Sequence, residues 1–169
     1  MKNYEHRKGS ITIKVYSENK TPLPKQELSI RQKNHQFLFG CNGFELIPYA
    51  NDQLEGAARE HTEKYIEKFL GLFNSVTLPF YWGQFEPEQG KPRTEELANT
   101  ARWCKEHNLV TKGHPLSWHT LAPGWLLDMS NEEILEKQIK RIERDVKDFT
   151  GLVDMWDVIN EVVIMPIFN

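Results

Sequence analysis

The chain has 169 residues, of which 39% are hydrophobic and 27% charged, so it can bury one sizeable core and is not compositionally disordered. Its 24 acidic and 21 basic side chains give a formal net charge of -3 without a long basic run, which argues against nucleic acid as a partner. No apolar stretch approaches the ~20 residues that span a bilayer, and the mean hydropathy is -0.59, which excludes a transmembrane helix.

The first ten residues, MKNYEHRKGS, mix both charge signs, and no apolar segment follows them. No secretory signal is visible, so the chain is expected to be cytoplasmic or secreted with its signal removed. Residues 10–16 place Ile11, Ile13 and Val15 on one face at period two, and residues 26–32 do the same with Leu28 and Ile30. With the turn chemistry of ENKTPLPK between them, they predict a β-hairpin extension over 1–33, ahead of a main domain over 34–169. QFLFGC at 36–41 reads as a first core strand covered on both faces. Tyr65, Ile66, Phe69, Leu70 and Phe73 then recur at spacings of three and four, which predicts an amphipathic helix over 57–73. Val76 to Leu78 form a second strand, and PFYWGQFEPEQGKP a long loop. A helix over 93–107 ends near Asn108, and a third strand runs from Val110 to Leu116. Ser130 and Glu133 match a capping box, and Ile134, Leu135, Ile139, Ile142, Val146 and Phe149 form an apolar stripe running to Gly151. LVDMWDVIN is the fourth strand.

Strands that alternate with helices of this length predict parallel β/α units, either a doubly wound sheet or a (β/α)8 barrel. A nucleotide-binding doubly wound sheet would carry a G-x-G-x-x-G turn after its first strand, and Gly40-Cys41-Asn42-Gly43-Phe44 lacks it. The Trp, His and carboxylate residues gather after strands, where a barrel places its chemistry, so the barrel is favoured, with only about four of its eight units present. Cys41 and Cys104 are too few for a disulfide framework or a CxxC site, and both are expected as buried thiols.

Asn160-Glu161 directly follows the fourth strand, beside Trp156 and Trp118 in the pattern, where a carboxyl group can act as a general acid. Read alone, such a pair also fits a helix start or a solvated carboxylate. His114 and His119 flank PLSW after the third strand and can bond a polar ligand, although their spacing is not that of a helical metal site and no third ligand is placed. Trp82, Trp118, Trp125 and Trp156 lie in or beside loops and strand ends, where an indole can stack on a sugar ring, while any one of them also serves as core filling. Glu86 and Glu88 in FEPEQGK are read as solvated loop charges.

Taken in order, FLFGCNGF, FNSVTLPFYWGQFEPEQGK, KGHPLSWHTLAPGWL and WDVINE resemble glycoside hydrolase family 10, the retaining endo-β-1,4-xylanases, over most of residues 36–161. The resemblance implies the first half of a TIM barrel acting on xylan or a related β-linked polysaccharide, with no cofactor. It implies Glu161 as the acid/base and Asn160 as the ligand of the sugar 2-hydroxyl. It further implies His114 as a hydroxyl ligand at the same subsite, Trp118 packing at the site, His119 beside the catalytic carboxylates, and Trp82 after the second-strand loop. The family's P-E-N-x-M-K-W is replaced here by LPFYW, so that Tyr81 stands where a sugar-binding Lys is usual, and Leu121 replaces a Gln. The nucleophile, a Glu on strand seven, is expected beyond residue 169, so the chain by itself is expected to be inactive. The other readings are a catalytically inactive carbohydrate-binding or self-associating half-barrel, and a related β-glucanase or β-galactosidase.

Overall fold

Parallel strands need long crossover connections, and the amphipathic segments supply them. The computed structural model describes residues 5–33 and 35–163. Four strands, β1 (Gly40–Asn42), β2 (Ser75–Pro79), β3 (Val110–His114) and β4 (Met155–Trp156), form one parallel sheet in the order β1-β2-β3-β4. Gly40 pairs with Ser75, Val76 with Thr111, and Gly113 with Trp156, and an isolated parallel bridge between Ser117 and Ile159 continues the last pairing. Helix α2 (Gly56–Leu72) joins β1 to β2, preceded by the short α1 (Leu46–Ala50). The short α3 (Trp82–Phe85) and α4 (Thr94–Glu106) join β2 to β3, and α5 (Asn131–Asp148) joins β3 to β4. Among the described residues, no helix is long and apolar enough to cross a membrane.

Side-chain alternation sorts the two faces of the sheet. Val76 and Leu78, with Phe80 just beyond them, are fully buried against Ile66 and Phe69 of α2 and Leu97, Ala101 and Cys104 of α4. Burial pushes the Cys104 thiol up to about 12. The Trp156 ring lies 4.7 Å from Phe80 and 6.3 Å from Phe149, and a Cβ on Gly113 would come within 2.3 Å of that indole, so only glycine fits there. Thr111 is polar and fully buried, and its hydroxyl donates to the Leu152 carbonyl at 2.6 Å. The opposite face of β2 and β3 is half-buried and carries Thr77, Lys112 and His114.

The capping box forms as predicted: Ser130 Oγ accepts from the Glu133 N–H, and the Glu133 carboxylate accepts from the Ser130 N–H. The stripe predicted on that helix does not all turn inward. Arg141 and Asp145 are its buried positions, whereas Leu135, Ile139 and Val146 are 60%, 47% and 40% exposed. The first strand is shorter than predicted and is not covered on both faces: Gly40, Cys41 and Asn42 are all exposed, and among the described residues β1 pairs with β2 alone. Cys41 is therefore an exposed thiol.

The chain divides into two compact units, Met1–His35 and Gln36–Asn169. In the first, the predicted pairing of residues 10–16 with 26–32 does not form. A minimal turn is closed instead by an antiparallel bridge between Tyr16 and Pro22, with the Leu23 N–H donating to the Val15 carbonyl at 2.9 Å. Pro22 and Pro24 have no N–H to continue a ladder, and Ile11 and Ile30 remain 84% and 72% exposed.

Candidate active site

The carboxyl ends of parallel strands share one edge of a sheet, which is where loops can bring side chains together. His114 ends β3 on the face away from the helices. Its Nδ1 lies 2.7 Å from Asp157 Oδ2, and Lys112 Nζ reaches the same oxygen at 2.8 Å. Burial raises the Asp157 carboxyl, but the hydrogen bonds from Lys112 and His114 outweigh it and hold the group below the usual carboxylate range. The carboxylate assigns the imidazole proton to Nδ1 and leaves Nε2 for a second partner.

Several contacts join the loop after β3 to the segment after β4. The Trp118 indole N–H donates to Glu161 Oε2 at 2.9 Å, and the Asn160 backbone N–H donates to the Ser117 carbonyl at 2.9 Å. Glu161 is exposed and has a φ of 51°, a left-handed conformation that costs a non-glycine residue about 1 kcal/mol or more. Tyr81 closes the cluster from the end of β2, its ring 5.7 Å from that of His114, 5.5 Å from Trp118 and 6.2 Å from Phe44. Burial raises its phenol, which stays neutral.

His114, Trp118, Asn160 and Glu161 thus lie along one loop-to-loop seam. Trp82 and His119 meet elsewhere, lining a cavity of about 300 Å³ together with Ser117, Trp118, Leu126 and Gln138. His119 packs edge-on against Trp118 at 6.2 Å. Trp82 is 7% exposed, its ring is edge-on to Trp125 at 5.5 Å, and its N–H donates to Glu86 Oε2 at 3.1 Å. Glu86 corrects the sequence reading, since it is 4% exposed and not a solvated loop charge. It accepts from Trp82, from the Gly90 N–H at 2.8 Å and from Arg144 at 2.9 Å, whereas Glu88 is exposed and pairs with Lys91. Sequence reasoning also missed Lys112 and Asp157. Strand parity was the available signal, because Lys112 and His114 are two residues apart on one strand and Asp157 directly follows its neighbour.

The family model for glycosyl hydrolase family 10 matches residues 48–165. Endo-1,4-beta-xylanase B of Thermotoga neapolitana is 32% identical over 105 residues, covering 60% of this chain and 30% of the relative. The beta-1,4-xylanase of Dictyoglomus thermophilum is 32% identical over 111 residues, covering 63% and 31%. Among solved structures, xylanase 10B from Thermotoga petrophila in complex with xylobiose superposes with a TM-score of 0.59 at 28% identity, covering 74% of this chain and 36% of that one. The chain thus spans about 30% of the length of these curated relatives. The four parallel strands with their crossover helices are part of a (β/α)8 barrel, and the chain belongs to glycosyl hydrolase family 10.

Proposed function

We propose that this chain carries the acid/base half of a retaining β-glycoside hydrolase that acts on xylan or a related β-1,4-linked polysaccharide. The contact between the Trp118 indole and Glu161, beside His114 and Asn160 at the carboxyl ends of the strands, is the observation that carries the reading. The names of the relatives, endo-1,4-beta-xylanases, supply the substrate class.

In the first step a carboxylate nucleophile attacks the anomeric carbon and the bond to the leaving oxygen breaks, with Glu161 giving its proton to that oxygen. In the second step the Glu161 carboxylate takes a proton from water as the water displaces the enzyme carboxylate. The indole N–H on Oε2 fixes the carboxyl plane and leaves Oε1 for the proton transfers. Asn160 bonds the sugar 2-hydroxyl, a contact that strengthens in the transition state, and His114, oriented by Asp157, offers Nε2 to a neighbouring hydroxyl. Trp118 packs on the sugar, and Trp82 and His119 line the cavity that it shares with them. The nucleophile is a second carboxylate that must stand ~5 Å from Glu161 across the sugar, the role that the family resemblance gives to a Glu on strand seven of the barrel.

The test combines reducing-sugar release from xylan with titration of tryptophan emission by xylo-oligosaccharides, on a sample whose mass is recorded by light scattering. The monomeric chain is expected to bind without releasing sugar, and His114→Ala or Asn160→Ala to weaken binding by about tenfold, the loss of one good polar contact. Release by the monomer would place the nucleophile inside these residues. Equal binding of cello-oligosaccharides would remove xylan from the reading, and binding of neither would remove the sugar site.

A further inference from the structure

Behind the aromatic cluster, α5 buries charge where its sequence pattern offers Leu and Ile. Arg141 is 2% exposed and Asp145 fully buried, one helical turn apart, with the guanidinium Nε donating to Asp145 Oδ2 at 3.1 Å. Burial lowers the Arg141 pKa to about 10, so it remains a cation at neutral pH. Its other donors all go to main-chain carbonyls. Nη1 donates to Leu116 O at 2.5 Å, and Nη2 donates to Phe80 O and, at 3.4 Å, to Pro115 O. The flat face of the group lies 5.3 Å from the Trp82 ring. Gln138, one turn earlier, adds a bond to Leu116 O at 2.9 Å.

The places of these carbonyls in the chain matter. Phe80 is the residue before Tyr81, and Leu116 stands two before Trp118. Both lie just past the ends of β2 and β3. There the Phe80 N–H is still held by His114 O at 2.7 Å and the Leu116 N–H by Asp157 O at 2.9 Å, while the two carbonyls turn toward α5. A single planar fork therefore ties together the first residues beyond two adjacent strands, a geometry that an ammonium on a flexible stem does not reproduce. Stability alone gives weak grounds for such a group, since a buried ion pair can be exchanged for apolar side chains of similar volume with little loss.

We propose that Arg141 is a positioning residue: it clamps the carboxyl ends of β2 and β3 so that Tyr81 and Trp118 are held in place, and through the Trp118 indole it orients the Glu161 carboxyl. The clamp is a matter of geometry, and only its bearing on hydrolysis rests on Glu161 being the acid/base.

The experiment follows the Trp118 indole N–H resonance, identified by its loss in Trp118→Phe and its pH-dependent shift by the loss of that shift in Glu161→Gln. The variants are Arg141→Lys, which keeps the charge and removes the fork, and Arg141→Met/Asp145→Leu, which replaces the pair by apolar volume. The double variant is expected to lower the urea midpoint yet stay folded, because it also takes the donor from the Phe80 and Leu116 carbonyls and the Asp145 carboxylate from Arg144. In both variants the pH-dependent shift of the Trp118 resonance should be lost and its exchange with solvent should speed up at least tenfold. An unchanged Trp118 signal in a folded variant overturns the clamp. Failure of both variants to fold overturns it too, by assigning the pair to structure alone. Xylo-oligosaccharide titration of the same samples separates the two readings. A parent whose Trp118 responds to pH but not to sugar defeats the proposed function and leaves the clamp standing, whereas equal sugar affinity in parent and folded variants defeats the clamp and leaves the function.

Discussion

Glu86 is held by three donors and is 4% exposed. Burial alone would raise its carboxyl, but Arg144, the Gly90 N–H and the Trp82 N–H together bring it below the ordinary carboxylate range. A carboxyl depressed in the folded state contributes stability that is fully present above its unfolded pKa and is lost as pH falls through the folded one. Glu86→Gln is therefore expected to lower the urea midpoint at pH 7, with the gap to the parent closing as pH falls through and below the ordinary carboxylate range and the parent carboxyl protonates. A gap of constant size over that range would mean that the charge of Glu86 does not contribute. Asp157 has the same sign, through Lys112 and His114. The sequence showed neither role, because the His114 partner of Asp157 and the charged partner of Glu86, Arg144, lie 43 and 58 positions away in the chain.

Helix α5 carries the clearest start signal in the chain, and the structure keeps it. Ser130→Ala removes the oxygen that accepts from the Glu133 N–H, and is expected to cost about 1 kcal/mol, seen as a lower urea midpoint with unchanged denaturant slope. Helices α2, α4 and α5 were legible because period 3.6 and capping residues are local properties. The inward face of α5 was not. Its apolar residues outnumber its buried ones, and the phase that meets the sheet is chosen by Arg141 finding three strand-end carbonyls, a non-local event. The first strand was overestimated for a related reason, since an apolar run does not say how many neighbours the strand will have, and among the described residues β1 has one. For the candidate site, the ordered motifs placed His114, Trp118, Asn160 and Glu161 at loop starts, while Tyr81, Lys112 and Asp157 became partners only once parallel register brought their strands together.

Among the described residues of the unit Gln36–Asn169, β4 has a strand neighbour on one side only, and apolar groups stand on it and just after it. Met155, Val158 and Ile159 are 37%, 55% and 60% exposed. Open strand edges with apolar flanks invite pairing between chains. The mass measured by light scattering is expected to rise with protein concentration, and Ile159→Lys, which places a charge on that edge, to suppress the rise. A parent that stays monomeric at every concentration would show the edge to be already protected.

The strands are also held unequally. β2 and β3 are paired through five residues, β1 joins through three and β4 through two. Amide protons of the central pair should therefore exchange slowest and those of β4 among the fastest, since local opening starts where pairing is shortest. Glu161 follows β4, but the pairing runs on past that strand through the Ser117–Ile159 bridge and the Asn160 N–H on Ser117 O, so the proposed acid is tethered to the loop after β3 more than to its own short strand. Loosening of the loop after β3 and release of the acid are then a single event.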